Sequence, residues 1–395
     1  MSGSLRFLLF FGPLTLVVVL GHIYLYRRLF RDTSKHPAWR LTGVVLMALL
    51  AFIMLSWRLL PPLLPPETAF NVLRLGWVWM GVATYLVLAV LSLGGVRTLG
   101  AGWKRRRAVE ATPAPVSEER RQFLARASAG VALAATGGAA SYGVWRAYHP
   151  PVVNEVAVRL PGLPKALDGF TLVQLSDIHV APLIQRRFMD ALVAQCNGLK
   201  ADLVCITGDL VDGSVQALGY AAGALSNLRS RHGTYFVTGN HEYFSGDEEW
   251  TEALERMGVT VLRNRHVRIG EPGASFDLVG VDDWGARRSG YRRSYDLAAA
   301  TAGRDPSRAS VLLAHQPAGW REEALKAGMG LQLSGHTHGG QFFPFNLVVS
   351  AVWEHDAGLF REGDSHLYVS RGTGFWGPPL RVAAPPEIVK VTLLA

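Results

Sequence analysis

Three apolar runs without a single charged residue open the chain: Phe7 to Tyr26, Leu41 to Trp57 and Leu75 to Val96. Each approaches the ~20 residues a helix needs to cross the hydrocarbon core of a bilayer. In that solvent every backbone N–H and C=O must be satisfied within the segment, so such runs fold as helices. Residues 1–100 are therefore predicted as three transmembrane helices. A signal peptide is the poorer reading of the first run, because two further spans follow it.

Loop charges give these helices an orientation, since cytoplasmic loops are enriched in Lys and Arg. The first loop holds Arg27, Arg28, Arg31, Lys35 and Arg40; the second, Pro61 to Asn71, holds no basic residue; the third, Arg97 to Gln122, holds Arg97, Lys104, Arg105, Arg106, Arg107, Arg120 and Arg121. The N-terminus is expected outside, with the first and third loops in the cytoplasm. Residues 101–150 contain this basic loop and a fourth apolar stretch, Ala127 to Trp145, rich in Ala and Gly. Just before it stands Arg120-Arg121-Gln122-Phe123-Leu124. That pattern resembles a twin-arginine signal and implies the twin-arginine export machinery as a partner; the alternative is a plain positive flank. On either reading the stretch crosses outward. The expected localisation is the cytoplasmic membrane, multi-pass, with everything after about Tyr148 on the outer face.

Charge separates the two halves. Residues 1–150 carry 17 Lys and Arg against 5 Asp and Glu, net +12, whereas residues 151–395 carry 23 against 26, net −3. The basic excess thus belongs to the membrane part, and an acidic soluble part excludes nucleic acid as the expected partner. Only two cysteines occur, Cys196 and Cys205, outside any C-x-x-C pattern, so they are read as small buried residues.

From Pro151 onward, short β-rich runs alternate with helical stretches, which predicts an α/β fold. Strands are expected at Val152–Leu160, Thr171–Ser176, Leu203–Thr207, Thr234–Thr238, Ser275–Val281, Ser310–Ala314, Leu331–Ser334, His366–Ser370 and Ile388–Leu393. Helices are expected at Arg186–Leu199, Ala217–Arg229, Glu248–Met257 and Gly319–Ala327. Five of these strands run straight into metal-capable side chains: Asp177-Ile178-His179, Gly208-Asp209-Leu210-Val211-Asp212, Gly239-Asn240-His241-Glu242, His315, and Gly335-His336-Thr337-His338. Open α/β sheets place their sites at the C-terminal ends of strands. Carboxylate, imidazole and amide donors without a thiolate suit Mn, Fe or Zn.

Taken together, D-x-H, G-D-x-x-D, G-N-H-E, a lone His after a strand and G-H-x-H resemble the calcineurin-like metallophosphoesterases, from about residue 170 to 395, including Arg371-Gly372-Thr373-Gly374 and Pro386-Glu387-Ile388. Gly335 to Gln341 is similar to the bacterial membrane-anchored or exported branch. The resemblance implies an αββα sandwich with central mixed sheets in residues 151–395, following the helical membrane anchor. It implies two divalent metal ions, one held by Asp177, His179 and His338, the other by Asn240, His315 and His336, with Asp209 bridging. A hydroxide between the two cations would attack a phosphodiester. His241 is the candidate general acid and Asp212 its orienting carboxylate. Gly208, Gly239, Gly335 and Gly339 are read as allowing close turns, and Glu242, Asp282 and Asp283 as supporting groups. The alternatives are a pyrophosphatase of the UDP-2,3-diacylglucosamine type, acting on a lipid-linked phosphoester, and a catalytically inactive scaffold or sensor; the second is disfavoured by a complete ligand pattern. His22, His36, His149, His232, His266, His355 and His366 carry no ligand spacing. The segment Trp284 to Tyr295, with four arginines among aromatics, is read as either a solvated loop or a binding site for an anionic head group.

Overall fold

A computed structural model describes residues 3–56, 63–107 and 117–395. The chain falls into two compact units, Met1–Tyr142 and Gly143–Ala395.

The first unit is helical. Helix α1 (Gly3–Tyr26) coincides with the first apolar run and continues into a π-helical turn at Arg27–Arg31; α2 (Pro37–Leu55), α3 (Pro66–Arg107) and α4 (Glu118–Tyr148) follow. Leu25, Phe30, Met47, Leu86, Val90 and Ala132 pack together in this unit. The buried His22 is tied down, its Nε2 accepting from Trp79 Nε1 at 2.8 Å while its Nδ1 lies 2.7 Å from Val18 O. Among the described residues, Pro37–Leu55, Thr68–Gly100 and Glu118–Tyr148 are long and apolar enough to cross a membrane.

Helix α3 reaches into both of the predicted loops that flank it. Helix α3 starts at Pro66 inside the second loop, because a proline in the first helical turn forfeits no internal hydrogen bond. At its other end it runs through Arg97 to Arg107, where no proline interrupts the ladder. Arg120 and Arg121, expected ahead of the fourth span, lie in the first turn of α4. There Ser117 Oγ accepts from Arg120 N at 3.2 Å, and Glu118 pairs with Arg121 at 2.8 Å and with Lys35 at 3.3 Å. Residues 57–62 and 108–116, parts of the second span and of the second and third loops, lie outside the described residues.

The second unit contains, among the described residues, two six-stranded sheets. The first has the order β1 (Val152–Arg159), β12 (Glu387–Leu394), β2 (Phe170–Leu175), β3 (Leu203–Thr207), β4 (Thr234–Val237), β5 (Val259–Val261). The second has β10 (Gly358–Glu362), β11 (Ser365–Val369), β9 (Leu331–Ser334), β8 (Ser310–Leu313), β7 (Ala274–Gly280), β6 (Arg265–Glu271). Both sheets are mixed: β2 to β5 are parallel to one another, as are β7, β8, β9 and β11, whereas β12 opposes β2 and the edges β6 and β10 are antiparallel.

Alternation along the strands sorts side chains into three layers. Leu172, Leu203, Cys205, Leu278, Val311, Leu313 and Leu333 meet between the sheets. Their neighbours Val173, Val204 and Ile206 face outward against Met189 and Leu192 of α5 (Arg186–Gly198), Leu218 of α6 (Val215–Ala222), and Trp250 and Leu254 of α8 (Asp247–Arg256). Leu312 and Val279 face the other way, onto Leu297 and Ala300 of α10 (Leu297–Thr301) and onto Trp320. The expected αββα arrangement results. Cys196 and Cys205 are both buried, and burial pushes the Cys196 thiol up to about 12.

Three strands went unpredicted. β5 is only three residues long, and β6 and β10 are edge strands whose charged residues, Arg265, Arg268, Glu271, Arg361 and Glu362, break the apolar alternation. The predicted helix Ala217–Arg229 ends at Ala222 and continues as a 3-10 turn to Asn227; Gly319–Ala327 contains only a π-helical turn at Trp320–Ala324. Short helices α7 (Asn240–Ser245), α9 (Ala286–Ser289), α10 and α11 (Phe345–Val352) were also unpredicted.

Candidate metal centre

Because β2, β3 and β4 are parallel in one sheet and β8 and β9 in the other, their C-terminal ends deliver the predicted residues to one edge of the sandwich. Asp177 and His179 follow β2, Asp209 follows β3, Asn240 and His241 follow β4, His315 follows β8, and His336 and His338 follow β9. Asp177, His179, Asp209, His336 and His338 all have positive φ, between 50° and 73°. Non-glycine residues adopt this region at a cost of order 1–3 kcal/mol each, and such strain gathers at functional sites.

Three groups of ligand atoms converge within 4.8 Å of one another: Asp177, His179 and His338; Asp209, His315 and His336; and His179, Asp212 and His241. In the first, His179 Nε2 faces His338 Nε2 at 3.1 Å, with Asp177 Oδ1 3.5 Å from His338 Nε2. In the second, His336 Nδ1 faces His315 Nε2 at 3.2 Å, and Asp209 Oδ2 is 3.1 Å from His315 Nε2. The same Asp209 oxygen is 3.9 Å from His179 Nε2 and 3.9 Å from His241 Nε2. Asn240 Oδ1 is buried with no hydrogen-bond partner among the described residues. A buried amide oxygen without a partner costs free energy unless a cation or donor meets it. These atoms fit divalent metals.

Neighbours fix which imidazole nitrogen keeps its lone pair. His315 Nδ1 lies 2.8 Å from the carbonyl of Thr207, and His179 Nδ1 lies 3.0 Å from Asp212 Oδ1, so in both rings Nε2 is left facing the cluster. Asp212 Oδ1 also takes His241 Nδ1 at 2.6 Å. The sequence reading gave Asp212 to His241 alone; here one carboxylate oxygen holds both rings.

Charge follows from this packing. Burial opposes ionisation of Asp209, but His315 and then His241 hold its carboxyl well below the usual range. Burial likewise opposes the Asp212 charge, yet His179 and His241 bring it down to about 2. Burial lowers His241, but the charges of Asp209 and Asp212 outweigh it and raise the ring to about 9. Burial, with help from His315, lowers His336 to about 3; burial, His179 and Arg381 hold His338 neutral well below its ordinary value. Neutral imidazoles are what a metal requires. Burial opposes charge on His315 as well, but Asp209 raises that ring well above its ordinary value, so His315 gives up a proton when a metal binds.

The supporting groups are specific. Glu242 accepts from the backbone N–H of Asp209 (2.9 Å), Leu210 (2.7 Å) and Gly239 (2.7 Å), clamping two site loops together. At Gly239 a Cβ would overlap Asp209 Oδ1, and at Gly335 one would overlap Asp177 Oδ2 and Ser176 Oγ. Asp283 takes Gln316 Nε2 at 3.0 Å beside His315, whereas Asp282 is taken up by Arg263, Asn264 and Thr238. Thr373 N and Gly374 N donate to the carbonyls of Ser176 (2.7 Å) and Asp177 (3.1 Å), so the Arg371–Gly374 segment braces the β2 loop. Arg381 escaped the sequence reading. It is fully buried, donates to the carbonyls of Gly374, Arg371 and Ala384, and stands 3.2 Å from His338 Nδ1. No local pattern marks it, since it is brought in by a loop 43 residues beyond His338.

Comparison with known proteins accords with this geometry. Residues 170–340 match the calcineurin-like phosphoesterase family. Over 98% of its length the chain is 34% identical to a Danio rerio protein named transmembrane protein with metallophosphoesterase domain, covering 89% of that protein. The chain belongs to the calcineurin-like phosphoesterases. It is also 38% identical to an uncharacterized metallophosphoesterase of Helicobacter pylori, over 63% of this chain and 67% of that one. Vertebrate and bacterial relatives both match, so no bacterial branch is singled out. As a member of this family the protein is a metal-dependent phosphoester hydrolase.

The arginine-rich segment of this phosphoesterase is partly committed elsewhere. Arg287 lies over the rings of Trp284 (4.7 Å) and Tyr295 (4.6 Å) and pairs with Glu323 at 2.7 Å. Arg292 and Arg293 are exposed, and the Arg288 side chain lies outside the described residues. Among the histidines without ligand spacing, His266 bonds the carbonyl of Ala300, His232 packs on Phe170, and His355 packs against Trp320 and Phe360.

Proposed function

We propose that the chain is a membrane-anchored phosphodiesterase with two metals in residues 151–395, Asp177, His179 and His338 holding one, Asn240, His315 and His336 the other, and Asp209 bridging them. The observation that carries this reading is the position of Asp209 Oδ2, within 4 Å of both His315 and His179 and so between members of two ligand groups. The donor set, without sulfur, favours Mn, Fe or Zn. Such a pair supplies Lewis acidity toward phosphoryl oxygens and acidifies water. The protein's own part in the reaction lies with His241 and Asp212. Asp209 and Asp212 favour the protonated form of His241, raising it to about 9 in the metal-free protein, and its ring is held at Nδ1 by Asp212, leaving Nε2–H to protonate the departing oxygen.

A second reading, hydrolysis of a lipid-linked pyrophosphate or diester, is favoured by the exposed rings of Phe244 and Trp376, each 5.7 Å from the His241 ring. Placement of the catalytic domain on the outer face of the cytoplasmic membrane rests on the basic first and third loops and on the Arg120-Arg121 pair as an export address.

The test is a phosphoester panel run on the full-length chain in nanodiscs, with metal content measured on the same preparation. Diester hydrolysis with two metals per chain is expected. Two metals with no turnover on monoesters, diesters or pyrophosphates would sink the catalytic assignment, and one metal at saturation would sink the bridge.

A further inference from the structure

Helix α11 is out of keeping with the surface of a water-soluble domain. Its sequence, Phe345-Asn346-Leu347-Val348-Val349-Ser350-Ala351-Val352, contains no charge, and none of its residues is buried. Phe343, Phe345, Leu347, Val348 and Val352 are between 46% and 73% exposed, which makes one contiguous apolar surface over two turns. Soluble proteins seldom present such a patch without something to cover it.

The rest of the second unit says what covers it. The final turns of α4, Gly143 to Tyr148, belong to this unit. Gly143 O accepts from Arg381 N at 3.1 Å, and any side chain at Gly143 would meet Leu380 and Val382 at about 3 Å. The segment that α4 touches is the one that holds the root of α11: Phe342 bridges Val382, and Phe343 N donates to Val382 O at 2.9 Å. Paired backbones lie ~4.8 Å apart, so α11 starts roughly 10–15 Å from Gly143 in the closing turns of α4. That end carries Tyr142, Trp145 and Tyr148, each 42% to 52% exposed. Aromatic residues of this kind collect at the level where a spanning helix leaves the hydrocarbon for the head groups. Val152 opens β1 only four residues after Tyr148, so no long linker separates the domain from that level.

We propose that α11 is an interfacial helix that lies in the same leaflet from which α4 emerges, its apolar residues among the acyl chains, giving the catalytic unit a second membrane contact beside its anchor. Helices of this kind insert an apolar face ~5–10 Å into the boundary between head groups and acyl chains. The consequence for the site follows from continuity of the chain. His338 and α11 are separated by six residues, and Trp353, at the end of α11, packs on the His336 ring at 5.2 Å between centroids. Gln341 fixes the other end by donating to the carbonyls of Trp376 and Pro378. Seating α11 therefore holds the edge bearing His336 and His338 at the bilayer surface. The inference rests on α4 crossing a membrane and does not depend on which phosphoester is cleaved.

The native cysteines are both buried, so a single cysteine introduced by Leu347→Cys takes a nitrobenzoxadiazole label selectively. Full-length labelled chain is reconstituted in phosphatidylcholine–phosphatidylglycerol vesicles containing lipids with a spin label high or low on the acyl chain. The expected result is a blue-shifted emission at position 347, quenched several-fold more by the shallow spin label than a control label placed by Glu271→Cys at the exposed β6–β7 turn. A Val348→Asp change added to the labelled chain should cut that quenching several-fold. Emission typical of water at 347 would overturn the proposal. A blue shift without lipid quenching would overturn it too, because it would show that α11 is covered by protein, from a second copy or another partner. Activity measured in the same vesicles separates the two readings: quenching in an inactive chain leaves this inference standing and removes the proposed function, and turnover without quenching does the reverse.

Discussion

Asp212→Asn is the sharpest test of how the site is held. One oxygen of Asp212 accepts from His179 Nδ1 at 3.0 Å and from His241 Nδ1 at 2.6 Å, while its other oxygen is buried without a partner among the described residues. Asparagine keeps an acceptor for both rings and removes the charge. Alanine would instead orphan two buried N–H groups, adding a stability loss of ~1–3 kcal/mol for each. For unit charges about 4 Å apart at an effective dielectric constant near 20, the interaction is ~4 kcal/mol, which as a ceiling is about 3 pH units on His241. Asp209 remains to hold His241 up. The expected fall is therefore ~1–2 units, or ~1.4–2.7 kcal/mol. Since His241 acts as the protonated form, turnover is present below its pKa and lost as pH rises through it. That limb lies below about 9 in the metal-loaded enzyme, because bound cations lower the free-protein value. The same substitution loosens the His179 ring, for which loss of a carboxylate partner typically costs 10–100-fold in metal affinity. The assay is a pH–rate profile on a phenyl phosphodiester, paired with metal titration by competition against a chelator. If the alkaline limb stayed within ~0.3 units of wild type and the metal affinity were unchanged, the shared-carboxylate account would be wrong.

Asp209→Asn is expected to weaken both metals together and abolish turnover, read as metal content per chain by mass spectrometry; loss of a single metal would contradict the bridging role. His241→Ala should lower turnover by ~10²–10⁴ on an ester with a poor leaving group, and much less on a nitrophenyl ester, with metal content unchanged; equal losses on both would exclude proton donation. Gly335→Ala places a methyl group against Asp177 and Ser176, so it should destabilise the second unit by ~1–3 kcal/mol and release metal, measured by thermal unfolding with and without added metal. Changing Arg120 and Arg121 to lysine keeps the positive flank and should leave residues 150–395 protease-protected in intact spheroplasts; accessible, active enzyme would leave α4 as an ordinary span.

Much of this protein is written in short-range pattern. Charge-free runs specify helices because a bilayer offers no other partner for the backbone. Strands β2, β3, β4, β8 and β9 were legible because they are buried on both faces, which makes them short, mostly apolar words without a charge, each followed by Asp, Asn or His. The edge strands β6 and β10 were not, since one flank of each meets solvent and carries charge. Nor were the ends of α3, where a helix outlasts its apolar run simply because nothing stops it.

The individual site residues were likewise visible one by one, each beside its own strand, and the resemblance grouped them. What tertiary structure alone decided is which atoms face which. A single Asp212 oxygen serves two histidines, Glu242 clamps the loops after β3 and β4, and Arg381 reaches the β9 loop from the far end of the chain. Strand periodicity reports how a residue is placed relative to its own backbone, and nothing more. The direction of a hydrogen bond between loops distant in sequence depends on the stagger of neighbouring strands and on left-handed turns at Asp177, His179, Asp209, His336 and His338. Those are settled only when both sheets have packed, because the core between them supplies the free energy that holds five residues in a conformation they would not adopt alone.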